Sequence, residues 1–197
     1  FFLTDPYRSV ANNSAVYEQK PTNAELMDEW VALMKSGTGE RGIFNRGSLE
    51  KTMPERRIKL LQKKHGRKTG FIGQVGTNPC GEIILQSKQF CNLSEVIARA
   101  DDTEKTLMRK TRLATLLGTY QSTLTKFNYI SKEWTDNCEQ ERLLGVSITG
   151  QWDSPAVRDG KVMKKMREMA IKTNQDYAKR FNIPASSSIT CVKPSGT

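Results

Sequence analysis

Apolar residues recur at helical spacing in four stretches of the chain. In "TNAELMDEWVALMKSG" (22–37), Leu26, Met27, Trp30, Leu33 and Met34 keep that spacing. Thr22 with Glu25 has the form of a capping box, and Gly37 is placed to stop the helix. A second helix is predicted from about Ser48 to Gly66, where Pro54 must sit in a first turn or break the run. The third, "TEKTLMRKTRLATLLGTYQSTLTKF" (103–127), shows one stripe of Leu113, Leu116, Leu117, Tyr120, Leu124 and Phe127 behind Asp102 or Thr103 as cap. The fourth, "DGKVMKKMREMAIKTNQDYAKRFN" (159–182), brings Val162, Met166, Met169, Tyr177 and Phe181 to roughly one side. That pattern is one of core packing rather than of a cofactor box.

Shorter runs with strand character lie between the helices: "SVANNSAVY", "GIFNRG", "FCNLSEVIA", "LLGVSITG" and "SSSITCVK". Strands alternating with helices of this length predict an α/β architecture with largely parallel strands. Several strand positions are polar where a core strand carries Val or Ile: Asn12, Asn13, Asn45, Asn92, Ser147 and Thr149. Polar groups lining an interior are expensive unless they bind something.

Composition narrows the class. The chain has 197 residues, 37% hydrophobic and 26% charged, which suits one ordinary core or part of a larger one and argues against global disorder. No apolar run is long enough to span a bilayer and no secretory leader is visible, so a soluble, cytoplasmic protein with no membrane partner is expected. Both ends, "FFLTDPYRSV" and "CVKPSGT", read as cuts within a longer enzyme. Four cysteines at this size do not suggest a disulfide framework; in a reducing compartment they point to catalysis, redox chemistry or metal binding.

The net charge of +10 permits an anionic partner, whether nucleic acid or a nucleotide. Much of it sits in "RRIKLLQKKHGRK" (56–68), where seven of thirteen residues are Lys or Arg. A solvated helix face is the plainer reading, and with no aromatic residue interleaved, base stacking is not indicated.

Candidate chemistry concentrates in "GTNPCGEIILQSKQFCNLSEV" (76–96). Pro79 and Gly81 disfavour a helix around Cys80 and fit a tight loop. In an extended loop the side chains of Asn78, Cys80 and Glu82 would share one side and could converge on one ligand. A carboxylate beside a thiol disfavours the thiolate, which argues against a conventional cysteine nucleophile. The one histidine, His65, lies in the basic run, so a Cys-His pair is not indicated. Zinc is a weak alternative: Cys91 follows Cys80 by eleven residues, there is no Cys-x-x-Cys pair, and Cys138 and Cys191 stand alone. A thiol used as a radical or redox group, with an amide and a carboxylate handling a substrate hydroxyl, is what remains. Cys138 and Cys191 read as small buried hydrophobes.

Taken in order, "NPCGE", "FCNLSEV", "RLLGVSITG" and "ITCVKPSGT" resemble the catalytic subunit of ribonucleotide reductase. The closest likeness is to its class II, adenosylcobalamin-dependent enzymes, and within these to the monomeric ribonucleoside-triphosphate reductase branch. "SVANNSAVY" and "GERGIFNRG" share that likeness, which covers nearly the whole chain apart from 56–68. The resemblance implies part of a ten-stranded α/β barrel of two five-stranded halves, with residues 76–86 as a central finger loop. It implies a thiyl radical on Cys80 that abstracts the substrate 3′ hydrogen, Glu82 as general base on the 3′ hydroxyl, and Asn78 as an amide on the ribose hydroxyls. Cys91 would be one of two reducing cysteines, its partner lying upstream of Phe1. Ser195, Gly196 and Thr197 would begin a substrate phosphate site, a turn leading into a helix N-terminus.

The implied cofactor is adenosylcobalamin. The implied partners are a ribonucleotide substrate, dNTP or ATP effectors and a thioredoxin-type reductant, and the piece alone should not turn over. Glu82 disfavours the glycyl-radical reductases, while an iron-dependent class I large subunit is the nearer alternative. A basic nucleic-acid-binding domain is the alternative from another class.

Overall fold

Thr22 opens the first helix as the capping-box reading requires. Its hydroxyl accepts from the Glu25 N–H at 3.3 Å, and its own N–H donates to Glu25 Oε2 at 2.8 Å. This helix, α1 (Asn23–Ser36), ends at Gly37 in the left-handed region. The computed structural model describes residues 13–37, 41–66 and 70–195. They divide into two compact units, 1–79 and 80–197.

In the first unit, β1 (Asn13–Tyr17) pairs in parallel with β2 (Arg41–Asn45), Asn13 opposite Arg41 and Tyr17 opposite Asn45, with α1 as the connection. Arg41 ties β2 to α1 through Glu29, with N···O distances of 2.6 and 2.9 Å. That hydrogen bond holds the Glu29 carboxyl below the usual carboxylate range. No α1 residue is fully buried, so its apolar stripe of Met27, Trp30 and Met34 is an exposed face.

The helix predicted over 48–66 is broken in two, α2 (Leu49–Thr52) and α3 (Glu55–His65). Pro54 caps α3, its carbonyl accepting from the Arg57 and Ile58 N–H groups at 2.8 and 3.1 Å. Proline has no N–H to continue a helical ladder, so the run restarts after it. The basic stretch is therefore largely a helix face, but not a wholly solvated one: Arg57 and Leu61, one turn apart, are buried. Residues 67 and 68 of that stretch lie outside the described residues, as does Asn12. The unit closes with β3 (Val75–Thr77).

The second unit begins at Cys80 and contains β4 (Ile84–Gln86), β5 (Asn92–Ile97) and β6 (Leu144–Thr149). β5 and β6 pair in parallel from Asn92 opposite Leu144 to Ile97 opposite Thr149. The connection runs through α4 (Glu104–Gln121) and α5 (Lys132–Glu141), and α6 (Gly160–Arg180) follows β6. The strand expected over 186–193 is reduced to a single parallel bridge between Val146 and Thr190. Val96, Leu107, Leu144, Val146, Val162, Met166 and Ile189 form the core between this sheet and helices α4 and α6. The parallel α/β expectation is met in both units.

Two expectations about the helices need correction. On α4, Leu113, Leu117, Tyr120 and the following Leu124 are 50–65% exposed, and the buried face is Leu107, Thr111, Ala114, Thr115, Gly118 and Thr119. Each threonine hydroxyl donates to the carbonyl four residues before it, at 2.8, 2.8 and 2.7 Å, so a polar face is buried with its donors satisfied. Asn174 on α6 joins this seam, donating to Thr119 Oγ1 at 3.0 Å. The second correction is α5, which hydropathy does not reveal because "KEWTDNCEQE" carries only Trp134 and Cys138 as large or apolar anchors.

At the end of β6, Gly150 has φ of +74° and an added Cβ would lie 2.3 Å from the Ala98 carbonyl oxygen. That oxygen belongs to backbone, which cannot retreat cheaply. We expect Gly150→Ala to destabilise the fold by about 2–4 kcal/mol, read as a lower denaturation midpoint at unchanged m-value.

Candidate active site

The loop around Cys80 is a turn rather than an extended segment. It bends at residues 79–80, and Gly81 takes φ of +79°, a left-handed conformation that glycine adopts without strain. The expected alternation of Asn78, Cys80 and Glu82 along an extended loop therefore does not describe it. Cys80 is exposed at the bend, whereas the Glu82 side chain is only 1% exposed. Asn78 is half-buried directly after β3, at the end of the first unit.

Cys80 and Glu82 meet at a residue that the sequence reading did not single out. The Lys193 ammonium lies 3.4 Å from Glu82 Oε1 and 3.8 Å from Cys80 Sγ. Glu82 foremost, and then Cys80, hold this ammonium above the ordinary lysine range. Lys193 is placed by its own backbone, whose N–H donates to Ser147 Oγ at 3.0 Å, while Cys191 N donates to Val146 O at 3.1 Å. One of the polar strand residues, Ser147, is thus explained by what it anchors. Asn92, another, donates from Nδ2 to Leu143 O at 3.0 Å.

Cys191 stands beside this group. Burial, and then the Glu82 charge, push its thiol to about 11, while Lys193 and the Ser147 hydroxyl act in the opposite direction. At neutral pH it is a thiol. It also lines a largely apolar cavity of about 370 Å³ with Val96, Val146, Met163, Met166 and Arg167. Cys138 fits the buried-hydrophobe reading more closely, since burial raises its thiol as well and its sulfur accepts from the Phe90 N–H at 3.4 Å. Cys91 is half-buried immediately before β5. Ser195 is half-buried two residues beyond Lys193, and Gly196 and Thr197 lie outside the described residues.

The supports of the site converge on α5. The Glu141 carboxylate, in a residue only 1% exposed, accepts from Gln86 Nε2 at 2.9 Å, Gln89 Nε2 at 2.7 Å and Ser187 Oγ at 2.8 Å. Gln86 and Gln89 belong to the chain leaving the Cys80 turn, and Ser187 to the segment that leads to Lys193. One buried carboxylate therefore pins both arms of the site. A signal for Lys193 does exist in the sequence. Cys191, Lys193 and Ser195 alternate with Val192 and Pro194 in "CVKPS", and in the fold the first three are half-buried while the other two are exposed.

The second unit, with its parallel β5–β6 pair, presents an exposed thiol and a buried carboxylate to one ammonium. No family model matches the chain. It is 27% identical to the adenosylcobalamin-dependent ribonucleoside-triphosphate reductase of Lactobacillus leichmannii over 96% of its own length and 27% of that protein's. The reductase of the same description from Lactobacillus gasseri is 25% identical over 97% and 28% of the two chains. A crystal structure of a B-12 dependent (class II) ribonucleotide reductase superposes with a TM-score of 0.62 at 26% identity, covering 94% of this chain and 28% of that one. The chain is thus similar to class II, adenosylcobalamin-dependent ribonucleotide reductases, and it spans about a quarter of the length of the relatives it matches.

Proposed function

We propose that this chain is part of the catalytic core of an adenosylcobalamin-dependent reductase that converts ribonucleoside triphosphates to 2′-deoxyribonucleotides for DNA synthesis. The meeting of the exposed Cys80 thiol and the buried Glu82 carboxylate at one ammonium carries the reading. The named relatives supply the reaction, and they favour the cobalamin class over an iron-dependent class I diphosphate reductase or a nucleic-acid-binding domain. In this reading residues 1–197 are a partial catalytic barrel domain. The pairs β1–β2 and β5–β6 are then pieces of a ten-stranded α/β barrel, and 76–86 is its finger loop. Its localisation is cytoplasmic; among the described residues no helix is long and apolar enough to cross a membrane.

Adenosylcobalamin, when bound, supplies the organic radical from which the Cys80 thiyl radical arises. The residues present fit it in one respect: the exposed Cys80 sulfur is open to a bulky group. Among the described residues no cluster of three His, Cys, Asp or Glu could hold a metal ion, and none is needed for such a group.

Cys80 takes the 3′ hydrogen atom of the ribose and returns it at the end of the cycle. Glu82 accepts the 3′ hydroxyl proton, for which it must start as a carboxylate. Asn78 steadies the ribose hydroxyls. The 2′ hydroxyl leaves as water while Cys91 and a second cysteine lose two hydrogens and close a disulfide, which a thioredoxin-type dithiol reopens. Ser195, Gly196 and Thr197 begin the phosphate site, and dNTP or ATP effectors act on the whole enzyme.

The test is deoxyribonucleotide formation by the full-length protein with adenosylcobalamin and a dithiol. We expect Glu82→Gln to lower kcat by about 10²–10⁴ with little change in KM. Turnover that needs an iron-bearing partner instead of the cobalamin, or that survives Glu82→Gln, would overturn the reading.

A further inference from the structure

We propose that Lys193 is a positioning residue for this site: its ammonium bridges Cys80 and Glu82, keeping the buried carboxylate ionised and aimed at the thiol. The inference rests on the functional reading above for its catalytic consequence, but not for its geometry.

Glu82 presents a difficulty that the loop alone does not solve. A carboxylate with a side chain only 1% exposed is driven by desolvation toward its neutral form, which cannot accept a proton from a substrate hydroxyl. A cation at 3.4 Å opposes that drive. Lys193 can supply it with precision because its main chain is fixed twice. Its N–H is held by Ser147 Oγ at 3.0 Å, and proline follows it at 194. The same ammonium reaches Cys80 Sγ at 3.8 Å, so the thiol and the base share one anchor and keep a set separation before substrate arrives.

The surrounding charges make the assignment specific. Cys80 from the turn and Cys191 and Lys193 from the segment after α6 face Glu82, and Glu95 of β5 acts on the neighbouring Cys191. Of these, Lys193 alone is a cation. The Cys191 thiol, at about 11, is neutral through the working range and does not compete for the role.

Two readouts on the full-length protein test the assignment. The first is the pH profile of kcat/KM for ribonucleotide reduction. In Lys193→Met its acid limb should move up by about 1 in pH, with KM at the optimum changed less than about threefold, and Lys193→Arg should restore the wild-type profile. An unmoved acid limb, or a loss confined to KM, would overturn the proposal; the latter would make Lys193 a substrate contact.

The second readout needs no turnover: the rate of Cys80 alkylation by iodoacetamide at pH 8 without nucleotide. Loss of the cation beside the sulfur should slow it by about threefold or more in Lys193→Met and in Lys193→Gln, and Lys193→Arg should recover it. An unchanged rate in both neutral variants would show that the ammonium does not sit at the thiol. If the wild-type protein reduces no ribonucleotide, the functional reading fails, and alkylation alone still decides the place of Lys193.

Discussion

We expect Cys80→Ser to abolish deoxyribonucleotide formation in the full-length protein, with ribonucleotide binding within about threefold of wild type. The expectation follows from bond chemistry rather than from shape. A serine hydroxyl fills nearly the same space at the exposed bend, but its O–H bond is far stronger than an S–H bond, so it does not become a hydrogen-atom abstractor. Binding survives because Cys80 is exposed and carries no part of the core of its unit. Equilibrium binding of the nucleotide and product formation, measured on one preparation, check both halves. Residual turnover above a few per cent would mean that another group carries the radical.

Glu141→Leu is the second large effect, and it acts through the fold. The carboxylate accepts three side-chain hydrogen bonds, from Gln86, Gln89 and Ser187, and each donor is buried with it. Leucine would remove a shared acceptor from all three, Gln89 Nε2 keeping only the Asn137 carbonyl at 3.3 Å, at a cost of about 1–3 kcal/mol for each buried hydrogen bond left unmet. A total loss of at least about 3 kcal/mol is expected, read as a lower denaturation midpoint. Because Gln86 and Ser187 lie on the two arms of the site, the same variant should lose turnover under conditions where it remains folded. A midpoint unchanged within error would show that the network is not structural.

Much of the local structure was legible in the residues themselves. The capping box at Thr22 and Glu25, the stop at Gly37 and the break at Pro54 are encoded within a few residues of where they act. The parallel pairing of β5 with β6 was legible from alternation of strand and helix. The buried side of α4 was not. Hydropathy marks Leu113, Leu117 and Tyr120, yet the fold exposes them and buries Thr111, Thr115 and Thr119, whose hydroxyls are satisfied by their own helix. A scale that treats threonine as polar cannot anticipate that. Helix α5 was missed for a related reason, since its buried residues are Asn137, Cys138 and Glu141, held by hydrogen bonds to distant segments.

The site divides along the same line. The turn at Pro79–Gly81 and its thiol and carboxylate lie within one motif and could be read directly. The cation that joins them lies 113 residues from Cys80 and 111 from Glu82. Only the tertiary fold, through Ser147 on β6, makes them neighbours.

In the proposed reaction, Cys80 removes the ribose 3′ hydrogen as its first act on substrate. That step is tested most directly with a 3′-deuterated ribonucleoside triphosphate, the full-length protein, adenosylcobalamin and a dithiol. We expect slower turnover than with the protiated substrate, deuterium retained at the 3′ carbon of the product, and no reaction at all in Cys80→Ser. Equal rates for the two substrates, or product formed by a variant that lacks the Cys80 thiol, would contradict it.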